Sequence, residues 1–296
     1  MLTLKHILVA TDFCPISTTA LRHALGIAKR CRSNVSVLHV IDAPFLDLTP
    51  EGLATALDGA ERDAKTLTKQ LASEGLIVGL NIDVAITVGP VWPTIANALA
   101  EKGSGLLVLG THGRSGLGKF VLGSVAESAF REAPCPVLTV GPKAAKSGAL
   151  GEKAKHLLLP TDLSPESTQA LRYGLSLARA LGADVTLLHV LKLAKNATAE
   201  VASQTRLVKI RLDEFLKEHP DATTMVSSRV ECGAPARLIV KVAEQSGADL
   251  IVMGVRAWSA DGPPMWRTAY KVLVQARCPV VKVPYSPQPR PEGTKH

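Results

Sequence analysis

The chain has 296 residues, a net charge of +8 and 46% hydrophobic residues. That length suits two domains of ordinary size, and that apolar share can build a packed core in each, which excludes a disordered chain. The basic balance favours anionic partners such as nucleotides, nucleic acid or acidic lipid. However, no dense Lys/Arg run and none of the usual recognition motifs is present, which argues against specific nucleic-acid binding.

The five cysteines, Cys14, Cys31, Cys135, Cys232 and Cys278, are odd in number and widely spaced, with no C-x-x-C pair. A disulfide framework and a cysteine-based zinc site are therefore not expected. A strand pattern begins almost at once, so no signal peptide is visible. No apolar run approaches the roughly 20 residues of a membrane helix. A reducing cytoplasm, with no membrane association, is the expected setting.

In chain order, Ile7 to Thr11 reads as a buried strand, and Ser17 to Arg30, after Pro15, as a helix with apolar residues at helical spacing. Val35 to Val40 is the second strand. Glu51 to Glu74 is a long helix with Leu53, Leu57, Leu67 and Leu71 on or near one face. Leu80 to Val88, Leu106 to Leu109 and Val137 to Val140 are three further strands, separated by helices over Trp92 to Lys102 and Gly123 to Glu132. Strands alternating with helices predict an α/β domain whose parallel sheet is covered on both faces.

The pattern then repeats. His6 to Ile41 aligns with His156 to Leu191 without a gap, sharing 16 of 36 residues. The match resumes at GLLVLG against DLIVMG and at CPVLTV against CPVVKV. A repeat of this length means two copies of one domain rather than a solenoid. The expected limits are residues 1–142 and 156–285. A Gly-, Ala- and Lys-rich linker spans 143–155, and a proline-rich, polar tail spans 286–296. Both fifth strands are candidate sheet edges, and exposed edges invite pairing.

The organising stretch is LLVLGTHGRSGLGKFVLGSVA, Leu106 to Ala126. A strand stops at Gly110, a glycine-rich loop follows, and Gly123-Ser124 opens a helix. Glycines let a backbone approach a phosphate, and the amides of a helix start point at negative charge. A Walker A reading of Gly113-x4-Gly118-Lys119 fails at Phe120, where Ser or Thr is needed to hold magnesium.

The spacing Gly110-x2-Gly113-x9-Gly123-Ser124 resembles the nucleotide-binding signature of the universal stress protein family. The resemblance covers nearly the whole chain as two domains, with the specific motif in the first alone. It implies an adenine nucleotide alpha hydrolase-like fold of two tandem open parallel-sheet domains, five strands each in the order 3-2-1-4-5. It also implies ATP or a related adenine nucleotide, with or without Mg, in the first domain. Matched to that motif, the nucleotide-binding residues are Ala10, Thr11, Asp12, Val40, Gly110, His112, Gly113, Arg114, Gly123, Ser124 and Val125. The family often has Pro before Thr-Asp; Ala10 stands there, whereas the second copy keeps Pro160. In the family, domains commonly associate through their last strands, so pairing of the two domains within the chain is expected, as is a homodimer.

Each site residue also has a plain alternative. Asp12 also reads as a helix-cap or turn residue, and Val40 as core. His39, which recurs as His189, reads as a satisfied structural residue. In the second copy Ala257 replaces Gly113, and Trp266 or Arg267 replaces Gly123. That copy is expected to bind no triphosphate in the same way. The functional expectation is a nucleotide-binding signalling or protective module. Slow ATP hydrolysis or phosphoryl transfer and a nucleotide-free, chaperone-like role are the alternatives.

Overall fold

A computed structural model describes residues 4–42, 49–111, 122–144, 150, 154–191, 198–218, 225–255 and 267–285. The first half runs β1 (His6–Ala10), α1 (Pro15–Cys31), β2 (Asn34–Ile41), α2 (Pro50–Ser73), β3 (Ile82–Val88), α3 (Val91–Lys102), β4 (Leu106–Gly110), α4 (Ser124–Glu132) and β5 (Val137–Val140). The second half repeats it as β6 (His156–Thr161), α5 (Pro165–Leu181), β7 (Asp184–Leu191), α6 (Thr198–Lys217), β8 (Val226–Cys232), α7 (Pro235–Ser246), β9 (Leu250–Val255), α8 (Arg267–Gln275) and β10 (Val280–Pro284).

Local chemistry sets these boundaries. Both α1 and α5 begin with proline after a capping side chain, Cys14 or Ser164, and end on a left-handed residue, Arg32 or Gly182. Proline at the first helical position loses no needed donor, and a left-handed residue ends the helix by turning its last amide back onto it. β1, β4 and β5 are buried almost throughout, and strands covered on both faces read as unbroken apolar runs.

The ten strands form one sheet, β3-β2-β1-β4-β5-β10-β9-β6-β7-β8. Each half has the order inferred from the family resemblance, and every neighbouring pair is parallel except β5 with β10. There Thr139 faces Val280, Leu138 faces Val281 and Val137 faces Lys282. Thr139 and Lys282 are equivalent in the repeat, so a local two-fold axis passes through the Leu138–Val281 pair. The Thr139 hydroxyl donates to the Val280 carbonyl at 3.0 Å. Its counterpart Lys282 is buried and donates to the Ala133 carbonyl at 3.2 Å. Burial pulls the Lys282 ammonium down to about 8.

Helices α1, α2, α5 and α6 cover one face, and α3, α4, α7 and α8 the other. Each face carries an apolar cluster that runs through both halves, so the halves share their core. The segment read as a linker takes part in it: Ala144, Leu150 and Ala154 are buried in the α1–α5 cluster. Leu150 is fixed by its amide, which donates to Nδ1 of His23 at 3.1 Å.

Burial holds His23 down to about 4. Its folded value lies below the unfolded 6.5, so between those values the unfolded chain binds the extra proton. Stability from this site is therefore full above pH 6.5 and is lost as pH falls towards 4, worth roughly 3 kcal/mol in all. Urea unfolding across that window is expected to show a steeper loss for the native chain than for His23→Gln. Equal slopes would remove His23 as the cause.

Candidate functional site

The ends of β1 and β4 lie side by side, with β2 beyond β1 and β5 beyond β4. Connections leave in opposite directions there, and ligands of open α/β sheets sit in the crevice so formed. A cavity of about 820 Å³ occupies it, within the usual 300–1,000 Å³ of small-molecule sites. Ala10, Thr11, Asp12, Val40, Gly110, Gly123, Ser124 and Val125 all line it. His112, Gly113 and Arg114 lie outside the described residues.

The turn after β1 is knitted by its own side chains. The Asp12 carboxylate accepts from the Cys14 amide at 3.1 Å and from the Ser17 hydroxyl at 2.7 Å. Thr11 Oγ1 accepts from the Phe13 amide at 3.0 Å, which fixes Phe13 at a positive φ of 62°. The second half repeats the device: the Ser164 amide donates to Asp162 and the Leu163 amide to Thr161, with Leu163 also at 62°. The Thr-Asp pair thus has a structural task in both halves, and in the first it also borders the cavity. Burial raises the Asp12 pKa, but the hydrogen bonds from Cys14 and Ser17 outweigh it and hold the carboxyl below its ordinary value. Asp12 is therefore ionised at neutral pH. His39 closes the same corner, its Nδ1 donating to the Thr11 carbonyl at 2.7 Å, which is the structural role expected of it.

On the other side, the Gly123 amide donates to the Thr111 carbonyl at 2.7 Å. That bond brings together the two ends of the glycine-rich stretch. It also means that the Gly123 amide itself is engaged, leaving Ser124 and Val125 to present the start of α4. The first amides of a helix lack intrahelical partners, and the glycine at this N-cap gives them no side-chain cap; Ser124, Val125 and Ala126 line the cavity.

Gly110 has a different reason to be glycine from the one its motif suggests. A Cβ there would stand 3.0 Å from Ile16 Cγ2 and 3.2 Å from the Ser17 amide nitrogen, against the first turn of α1. At Gly254, its counterpart on β9, a Cβ would clash with the Glu166 carbonyl oxygen. Close packing of helix on strand explains this glycine in both halves.

The α2 wall was not visible in the sequence motifs. Ala56, Gly59, Ala60, Arg62 and Asp63 line the cavity opposite the sheet, with Val91 and Ile95 from α3. The available signal was a row of small residues at helical spacing, Ala56, Gly59 and Ala60. The corresponding cavity of the second half is about 190 Å³. Glu166 lines it, in the first turn of α5, where α1 carries Ile16. Of the replaced motif positions, Ala257 and Trp266 lie outside the described residues, and Arg267 opens α8, exposed.

The profile of the universal stress protein family matches residues 3–141 and again 153–284. A universal stress protein of Methanocaldococcus jannaschii is 34% identical over 141 residues, covering 46% of this chain and 81% of its own. One from Mycolicibacterium smegmatis is 28% identical over 262 residues, covering 84% of this chain and 86% of its own. The crystal structure of a universal stress protein from Archaeoglobus fulgidus superposes with a TM-score of 0.73 at 20% identity, over 96% of this chain and 99% of that one. With two profile matches spanning most of its length, the chain belongs to the universal stress protein family, as a member with two such domains in tandem. Among the described residues, no helix is long and apolar enough to cross a membrane.

Glycine replacement tests the packing explanation. Gly110→Ala is expected to cost about 1–3 kcal/mol and Gly254→Ala more, read as shifts in urea midpoint. Wild-type midpoints for both would overturn the packing explanation.

Proposed function

We propose that the first domain binds ATP or a related adenine nucleotide, and that the protein acts as a nucleotide-responsive signalling or protective module. The observation that carries this is the difference between the two cavities: about 820 Å³ at the ends of β1 and β4, against about 190 Å³ at the equivalent place in the second half. The lining chemistry supports it. Val40 and Ile41 of β2 and the small residues of α2 offer apolar walls to a planar base. The ionised Asp12 suits a ribose hydroxyl. The start of α4, with the Ser124 hydroxyl, suits phosphates, and His112, Gly113 and Arg114 extend that side in sequence.

Among the described residues there is no cluster of three or more His, Cys, Asp or Glu that could hold a metal by itself. Magnesium enters this reading with the phosphates of the nucleotide, and Asp12, Asp42 and Asp63 are the carboxylates that line the cavity. In the second domain, the smaller cavity and the Glu166 carboxylate oppose a triphosphate, since a like charge at a helix start repels it. The reading includes a cytoplasmic setting and a homodimer. Among the described residues, the outer edges of β3 and β8 remain unpaired by any strand and are open to self-association.

Titration calorimetry with ATP is expected to give one site per chain, and Gly123→Val to weaken it by more than about tenfold. Product analysis after long incubation should show bound, intact ATP; turnover abolished by Asp12→Ala would convert the reading to an enzyme. Absence of heat with ATP, ADP and AMP would overturn nucleotide binding altogether.

A further inference from the structure

The first domain holds a second cavity, with Phe13 in its wall. It measures about 200 Å³ and lies between α1, α2 and the β2–β3 end of the sheet. Phe13, Leu25, Val37, Leu67, Leu71 and Ile82 are among its walls, and none of its lining residues lines the nucleotide cavity. Thr68 is the one lining residue with a polar side chain. Its hydroxyl already donates to the Ala64 carbonyl at 2.8 Å.

Thr68 apart, the side chains around this cavity offer a water molecule no hydrogen bond, and a buried water needs two to four. An engineered apolar cavity of about 150 Å³ stays dry and takes up benzene or xenon; this one is larger. It also has an approach from solvent. Val84, on its wall, is 44% exposed, and Val78, between the lining residues Ile77 and Leu80, is 73% exposed. Apolar side chains left in water beside an apolar hollow favour an apolar occupant.

We propose that this cavity is a binding site for a small apolar molecule the size of a single aromatic ring. Its inner wall links it to the main site. The Phe13 ring lies against His39, with centroids 4.7 Å apart at 38°, and His39 lines the nucleotide cavity. An occupant pressing on Phe13 therefore acts one side chain away from the turn that holds Asp12. The site itself does not rest on the nucleotide reading, and its test uses no nucleotide.

Benzene titrated into the full-length, nucleotide-free protein is expected to shift the methyl resonances of Leu25, Leu67 and Ile82 saturably, and the backbone signal of His39 with them. Ala64 is buried on the cavity wall, and Ala64→Leu fills the space, so affinity should fall by at least about tenfold. Saturable shifts confined to other residues, no saturable shift at all, or equal affinity in Ala64→Leu would each overturn the proposal. Should that variant fail to fold, the wild-type shift pattern decides alone.

Discussion

The antiparallel pairing of β5 with β10 is the contact on which the rest of the molecule depends. A parallel α/β sheet ends in a strand with open hydrogen-bonding groups, and here each half covers the other's last strand. Once the two edges meet, the sheet runs unbroken through ten strands, and the helices of both halves settle onto common faces. Leu138 and Val281 at the axis belong to the same apolar cluster as α1, α5 and the buried residues 144, 150 and 154. Between the halves, Ala144, Leu150 and Ala154 are packed in place, and His23 holds Leu150 there.

The two ends of each half then divide the work. At the amino ends of the strands, His6 bridges Ser104 and Ser36, and Ser36 donates to Asp83, which also receives Lys102. These bonds tie β1, β2 and β3 together far from the cavity. At the carboxyl ends, the Thr11–Asp12 turn and the packing glycine bring α1 close to β4, and the crevice beside them opens. Both halves keep the turn and the glycine, so these features belong to the fold. What differs is the size of the crevice and the charge at its rim, and there the two copies part.

Much of this was legible in the sequence. The buried strands announced themselves as apolar runs, the repeat was visible as aligned identities, and the edge argument pointed to the last strands. Strand order came from resemblance, because no pattern of residues encodes it. The packed role of Leu150 was hidden, since its partner His23 lies far away in sequence. The α2 wall was hidden for the same reason: Ala56, Gly59 and Ala60 read as indifferent helix residues until the fold sets them opposite β2. Gly110 stands out in the motif, but its reason does not, because only the fold sets Ile16 and Ser17 against it. Asp12 carried two readings in sequence, and its hydrogen bonds give it the structural one without removing it from the cavity wall.

The internal two-fold axis frees the two copies to diverge. When a symmetric pair is assembled from identical chains, every substitution appears twice, and an alteration useful on one side must be tolerated on the other. Joining the partners in one polypeptide lifts that restriction. Lys282 can occupy the place that Thr139 holds across the axis, and Glu166 the place of Ile16, without either change being imposed on its twin. The association is also independent of protein concentration, because dilution cannot separate halves joined by their own backbone. One copy is thereby released to specialise while its sibling keeps the scaffold whole.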